Sequence, residues 1–158
     1  MATITKKRLQ DTQSFATPYG NITSLAFSLV SNASGAAVNS DVTAAIGLGD
    51  VVRIGILPAG FRLNDSRAIV SDAFTALVTG SIGFAYMDGV DDATVPQDAD
   101  YFGAGVTMAV AGRYPASNVT VRPVTLPKDA WLTVTTAGAA NAAVGVMDVI
   151  VTGEMVGV

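Results

Sequence analysis

Ile22-Thr23-Ser24-Leu25-Ala26-Phe27-Ser28-Leu29-Val30 places Leu25, Phe27 and Leu29 on one side of an extended chain, with Ser24, Ala26 and Ser28 on the other. A period of two marks a strand with one buried face, because successive side chains of a strand point to opposite faces. The alternation returns downstream. Val52, Ile54 and Ile56 share a face of 51–57, which stops at the turn signal Pro58-Ala59-Gly60. Phe61, Leu63 and later Ile69 open another extended run, and Ile82, Phe84 and Tyr86 alternate with Ser81, Gly83 and Ala85. Val106, Met108 and Val110 follow, then Val119 and Val121, then 130–136 with Trp131, Leu132 and Val134, and last 144–152. Eight such runs, punctuated by Gly, Pro, Asn and Asp, predict an all-β fold: an antiparallel sandwich or jelly roll of about eight strands.

Two windows carry a second pattern. Ile69, Val70, Ala73, Phe74, Leu77 and Val78 also fit a helical stripe that Ser71 or Asp72 would cap. Strand is expected to about Asp72, and 73–78 stays open between strand and helix. Residues 41–48 have room for one helical turn.

Residues 1–20 differ from the rest. They hold Lys6, Lys7 and Arg8, three of the nine basic groups, and the punctuation Pro18-Tyr19-Gly20, with no sustained period. They read as an extended N-terminal arm on a sandwich domain of 21–158. Lys6, Lys7, Arg8, Leu9, Phe15 and Tyr19 are its candidate partner contacts. No apolar signal core follows the basic cluster. The longest apolar stretch, Tyr101 to Gly112, falls short of the ~20 residues that a spanning helix needs, so no membrane partner is expected. The N-x-S/T sequons at Asn21, Asn32, Asn64 and Asn118 are what chance supplies in a chain rich in Ser and Thr.

Composition narrows the function. Of 158 residues only 14% are charged, against about 25% in ordinary soluble proteins, and there is no His and no Cys. Imidazole bases, thiol nucleophiles, disulfides and zinc sites of the usual kind are thereby excluded. A net charge of −4 and a pI near 4.5 argue against nucleic acid as a partner. So sparsely charged an exterior points to surface shared with other subunits.

Candidate chemistry is thin. The stretch Asp88-Gly89-Val90-Asp91-Asp92-Ala93-Thr94-Val95-Pro96-Gln97-Asp98-Ala99-Asp100 holds five carboxylates and no basic residue, a composition that suits a hard cation. One reading is therefore a calcium-dependent carbohydrate-binding jelly roll using Asp88, Asp91 and Asp92. The spacing departs from the EF-hand pattern, and Asp is also the residue that caps turns, so a solvated loop without metal is the better expectation. Asp148, between Met147 and Val149, is the one acid in an apolar setting. It is expected on the solvent side or paired with Arg53, Arg62, Arg67 or Arg122. Gly47-Leu48-Gly49 lacks the Lys-Ser/Thr of a phosphate loop. Trp131 is expected in the core. No catalytic, cofactor or metal residue emerges, and the chain reads as a non-enzyme.

The segment Val51-Val52-Arg53-Ile54-Gly55-Ile56-Leu57-Pro58-Ala59-Gly60, with Ile82-Gly83-Phe84-Ala85-Tyr86-Met87-Asp88-Gly89 and Asp98-Ala99-Asp100-Tyr101-Phe102, resembles the jelly-roll cement or decoration proteins of tailed bacteriophages. The resemblance covers about residues 50–103 and lies in strand and turn signatures. It implies a structural virion protein, made in the host cytoplasm and placed on the capsid exterior. Its implied partners are the major capsid protein and further copies of itself, as homodimer or homotrimer. A tail, neck or head-fibre subunit is the rival within virion proteins.

Overall fold

The computed structural model describes residues 1–5 and 22–156. The segment with Lys6, Lys7, Arg8, Leu9, Phe15 and Tyr19 lies outside the described residues. The strands are β1 (Thr3–Thr5), β2 (Ile22–Ser31), β3 (Val51–Leu57), β4 (Phe61–Asp72), β5 (Thr79–Tyr86), β6 (Asp98–Thr107), β7 (Gly112–Pro115), β8 (Val124–Thr125), β9 (Ala130–Ala137) and β10 (Gly145–Met155). Among the described residues there is no helix.

One sheet runs β1-β3-β9-β5-β6 and the other β2-β10-β4-β7, with β8 beside β4. Every step from β2 to β5 changes sheet, β5 and β6 pair within one sheet, and the steps from β6 to β7, β8 to β9 and β9 to β10 change sheet again. This winding is that of a jelly roll, two antiparallel four-stranded sheets face to face. The inward residues read from the alternation do meet. Leu25, Phe27 and Leu29 of β2 join Val52 and Ile54 of β3, Ile82, Phe84 and Tyr86 of β5 and Leu132 and Val134 of β9 in one buried core. Each large side chain so buried stabilises the fold by about 1.5–3 kcal/mol.

To this frame β1 adds a fifth strand, parallel to β3, with Ile4 opposite Val52. Ile4 is fully buried. The Ala2 N–H donates to Asp50 Oδ1 at 2.7 Å and the Thr5 N–H to Asp41 Oδ1 at 2.8 Å. The first five residues thus belong to the sandwich. The chain leaves one sheet at Thr5 and joins the other at Ile22, so 6–21 connect two fixed points.

Several expectations need correction, mostly because bulges shift the phase of the alternation. In β3 the register passes from Arg53 opposite Thr133 to Gly55 opposite Leu132, leaving Ile54 extra. Beyond it Gly55 and Leu57 face the core and Ile56 does not. In β4 the pairing with β10 skips Asn64, so Ala68 and Val70 turn inward and Ile69 outward. A one-residue insertion has this effect on any strand with a side-chain period of two. Strand ends differ too: β6 begins at Asp98, inside the acidic stretch, and ends before Met108 and the exposed Val110. Residues 119–121 form no strand; Val119 is exposed, and the edge alongside β4 is built by β7 and β8 instead. Residues 73–78 form a turn, neither strand nor helix, and 41–48 form no helical turn. Trp131 is half-buried outside the core, with the Arg53 guanidinium 5.3 Å from its ring centroid.

Candidate functional site: the acidic loop and its cleft

The longest run of acidic groups sits on the connection from β5 to β6, where Gly89 (φ 71) and Pro96 turn the chain. Its carboxylates face their own backbone. Asp88 Oδ1 accepts from the Val90 N–H at 2.9 Å, and Asp92 Oδ1 from Thr94 and Val95 at 2.8 and 2.9 Å. Asp91 Oδ1 reaches across the loop to the Gln97 N–H at 2.7 Å. These are the turn-forming bonds that a short carboxylate side chain makes so well.

The cation of this loop comes from a distant part of the chain. Lys128, between β8 and β9, donates to Asp88 Oδ2 at 2.7 Å and to the Val90 carbonyl at 2.6 Å. Its ammonium also lies 4.6 Å from the ring centroid of Tyr86, a cation–π arrangement. Asp88, Asp91 and Asp92, which a calcium-dependent reading would use, thus each direct an oxygen at a backbone N–H, and Asp88 also accepts from an ammonium. Among the described residues no group of three or more acidic side chains converges on one point.

The electrostatics follow from these contacts. The Lys128 hydrogen bond, aided by the Val90 N–H, holds the Asp88 carboxyl below the usual carboxylate range. The Val95 and Thr94 N–H groups do the same for Asp92. Burial, helped by the charges of Asp92, Asp91 and Asp88, pushes Tyr86 up to about 12. Asp98 moves upward, mainly through loss of solvent and then through Asp100.

A pH response follows. A carboxylate whose pKa is lowered by folding stabilises the fold above its unfolded pKa and loses that contribution as pH falls through the folded value. The protection of the Val90, Thr94 and Val95 amides against exchange, relative to an unfolded chain at the same pH, should therefore fall below about pH 4, the ordinary carboxylate range, while protection in the core strands is kept. Equal protection at acid and neutral pH would show that these turns do not depend on ionised Asp88 and Asp92.

Beside the loop lies an open cleft of about 290 Å³, lined by Phe84, Val95, Pro96, Tyr101, Val121 and Val124 together with Asp98 and Arg122. The Phe84 and Tyr101 rings meet edge to face at 5.4 Å. The Tyr101 hydroxyl donates to the Arg122 carbonyl at 2.7 Å, tying the 119–123 loop to the sheet. The cleft is mainly apolar, with one acid and one base among its lining residues.

The sequence-predicted residues are thus dispersed. Asp148 lies half-buried on β10 between Ser28 of β2 and Ile69 of β4, away from the acidic loop. The place of Lys128 against Asp88 and the Tyr86 ring has no signal in the sequence, since no local pattern announces a partner forty positions away along the chain.

Comparison with known proteins agrees with the topology. No protein family matches the sequence, and no curated protein does. The fold is similar to a chain in the solved capsid of Ralstonia phage GP4, with a TM-score of 0.62 at 14% identity, over 98% of this chain and 98% of that one. At such identity the likeness is one of fold.

Proposed function

We propose that this chain is a structural protein of a bacteriophage particle, bound to the outside of the shell, where it strengthens contacts between major capsid protein subunits. The observation that carries the reading is the shared jelly roll, which extends end to end through this chain and through a chain of a phage capsid. The composition supports the same reading, with few charges to keep a lone surface solvated and no imidazole or thiol chemistry. Cementing needs contact area, and many copies on one lattice reinforce each other through effective concentration.

The basic segment fits this role as a contact element. Lys6, Lys7, Arg8, Leu9, Phe15 and Tyr19 lie in sequence between β1, which ends at Thr5, and β2, which begins at Ile22, and the proposal makes them contacts to the shell. The association is with protein and with further copies of the chain, and involves neither nucleic acid nor membrane.

Quantitative mass spectrometry of purified particles of the encoding virus tests the proposal, together with surface labelling. Copy numbers comparable to those of the shell protein, with the chain open to label from outside, are the expected result. A ring-like or fibre-like stoichiometry at one vertex would move the chain to the tail, neck or head fibre. Absence from the particles would end the structural reading.

A further inference from the structure

The strand β5 separates two ends of very different character. The acidic loop follows Tyr86, whereas the turn 73–78 precedes Thr79 at the opposite end. Two other connections meet that turn, and a third joins them through Asn141. The Phe74 N–H donates to the Met108 carbonyl and the Met108 N–H to the Val78 carbonyl, both at 3.0 Å. The Thr75 N–H reaches Asn141 Oδ1 at 3.1 Å, the Asn141 N–H reaches the Ile46 carbonyl at 2.8 Å, and the Ile46 N–H reaches the Gly35 carbonyl at 3.0 Å. The β2–β3, β4–β5, β6–β7 and β9–β10 connections therefore form one continuous surface.

That surface is almost without charge. Residues 32–40, 42–49, 73–78, 108–111 and 138–144 contain no Asp, Glu, Lys or Arg. The two acids that interrupt the first connection are turned to backbone: Asp41 to Thr5, and Asp50 to Ala2 and Gly47. Each connection also exposes one large apolar side chain: Leu48 at 63%, Leu77 at 76%, Val110 at 58% and Val144 at 45%. Asp72 and Arg113, at the neighbouring ends of β4 and β7, supply a charged border. A charge-depleted centre with a polar rim is how the buried part of a protein interface is composed.

Leu77 adds an independent observation. Its φ is 70°, in the left-handed region that disfavours a side chain with a Cβ. Gly would relieve the backbone there, and a polar residue would suit the exposure. Leu does neither, and an exposed apolar side chain held on a disfavoured backbone is what burial against a partner would account for.

We propose that this end is a homotypic interface, on which a second copy of the chain docks end against end. Charge decides the occupant. A charged partner surface would be left with unpaired buried charges, whereas the same end of another copy brings none. Head-to-tail docking would desolvate the acidic loop against apolar side chains. End-to-end docking instead holds the two acidic loops as far apart as the fold allows, which suits a chain of net charge −4. A self-complementary patch of this kind closes into a symmetric oligomer. The inference does not depend on the capsid reading.

Sedimentation velocity of the full chain over a range of concentrations, at low and high salt, provides the test. The expected result is a discrete oligomer whose association is not weakened by salt, since its contact is uncharged and the repulsion between two chains of net charge −4 is screened. The double variant L77D/V110D should sediment as a monomer with an unchanged circular dichroism melt, and L77N should weaken association; Asp and Asn both tolerate the left-handed backbone. A wild type that is monomeric at every concentration overturns the proposal, as does an oligomer indifferent to both variants. A monomeric wild type that binds purified particles, where L77D/V110D does not, also overturns it and gives this end to a shell subunit. The particle analysis described above reads the capsid proposal separately.

Discussion

Replacing Asn141 by Leu is expected to cost about 3–5 kcal/mol, a large share of the ~5–15 kcal/mol by which a domain of this kind is stable. Asn141 is buried in the β9–β10 connection, and both ends of its amide are used. Oδ1 accepts from the Thr75 N–H and the Thr75 hydroxyl, each at 3.1 Å, while Nδ2 donates to the Gly35 carbonyl at 3.3 Å and to the Ala143 carbonyl at 2.9 Å. Leu matches the volume roughly but leaves the Thr75 N–H without its partner, at about 1–3 kcal/mol where water cannot reach it. The Gly35 and Ala143 carbonyls keep the Ile46 N–H and the Ser31 hydroxyl but each lose one further bond, at about 0.5–1.5 kcal/mol apiece. Urea denaturation measures the loss directly. The variant N141D sharpens the test. It keeps the acceptor for Thr75 but aims a second anionic oxygen at two carbonyls, so burial and those carbonyls would raise its pKa. Its deficit should be greatest at neutral pH and shrink as pH falls through that raised value, because the protonated acid can again donate. A loss below about 1 kcal/mol for N141L would show that other contacts hold these loops together.

Asn141 also marks the boundary of what one sequence discloses. Strand alternation is a local signal, and it located the cores of β2, β3, β5 and β9 because each carries its inward residues at fixed spacing. A bulge has no such signal. The extra residues at Ile54 and Asn64 obey no composition rule, yet each moves everything beyond it to the other face, which is why Ile56 and Ile69 were misassigned. Trp131 was misjudged for a related reason: size argues for burial, but the position opposite Ile56 and Ala85 puts it on the outer side of its sheet. The acidic loop was legible as a loop because Asp, Gly and Pro act on neighbouring backbone. Its lysine was not, because Lys128 lies forty residues away and is brought near only by the return of β9 beside β5.

The uncharged end of the sandwich has the same explanation. Residues 32–40, 73–78, 108–111 and 138–144 are short uncharged stretches, none of which announces a surface by itself. Low overall charge was visible from composition alone, but its concentration at one end depends on jelly-roll winding, which brings connections far apart in sequence to a common edge. Low charge thus becomes a property of a surface. The acidic groups retained at the other end keep that region solvated and leave the molecule polar along its length.

Introducing a single methyl at Gly55 should be nearly as damaging as the loss of Asn141. Gly55 follows the β3 bulge and faces the core, where a Cβ would stand 2.0 Å from Cδ1 of Phe27 and 2.2 Å from its Cε1. Ordinary contact needs about 3.5–4.0 Å between carbons, so the ring or the strand must move by more than an ångström. Phe27 is itself buried on β2 of the facing sheet and has no open space to enter. Interiors packed to crystal density do not absorb such a displacement locally, and overpacking of this kind costs about 1–3 kcal/mol for small additions. G55A is therefore expected near the upper end of that range and G55V beyond it, read as a lowered denaturation midpoint with an unchanged m-value. The cause is checked by changing the obstacle. F27L alone should destabilise by removing buried ring contacts, yet F27L/G55A should be more stable than the two single losses added together, because each substitution relieves the fault of the other. Simple additivity would sink the steric account and make the Gly55 effect one of backbone conformation alone.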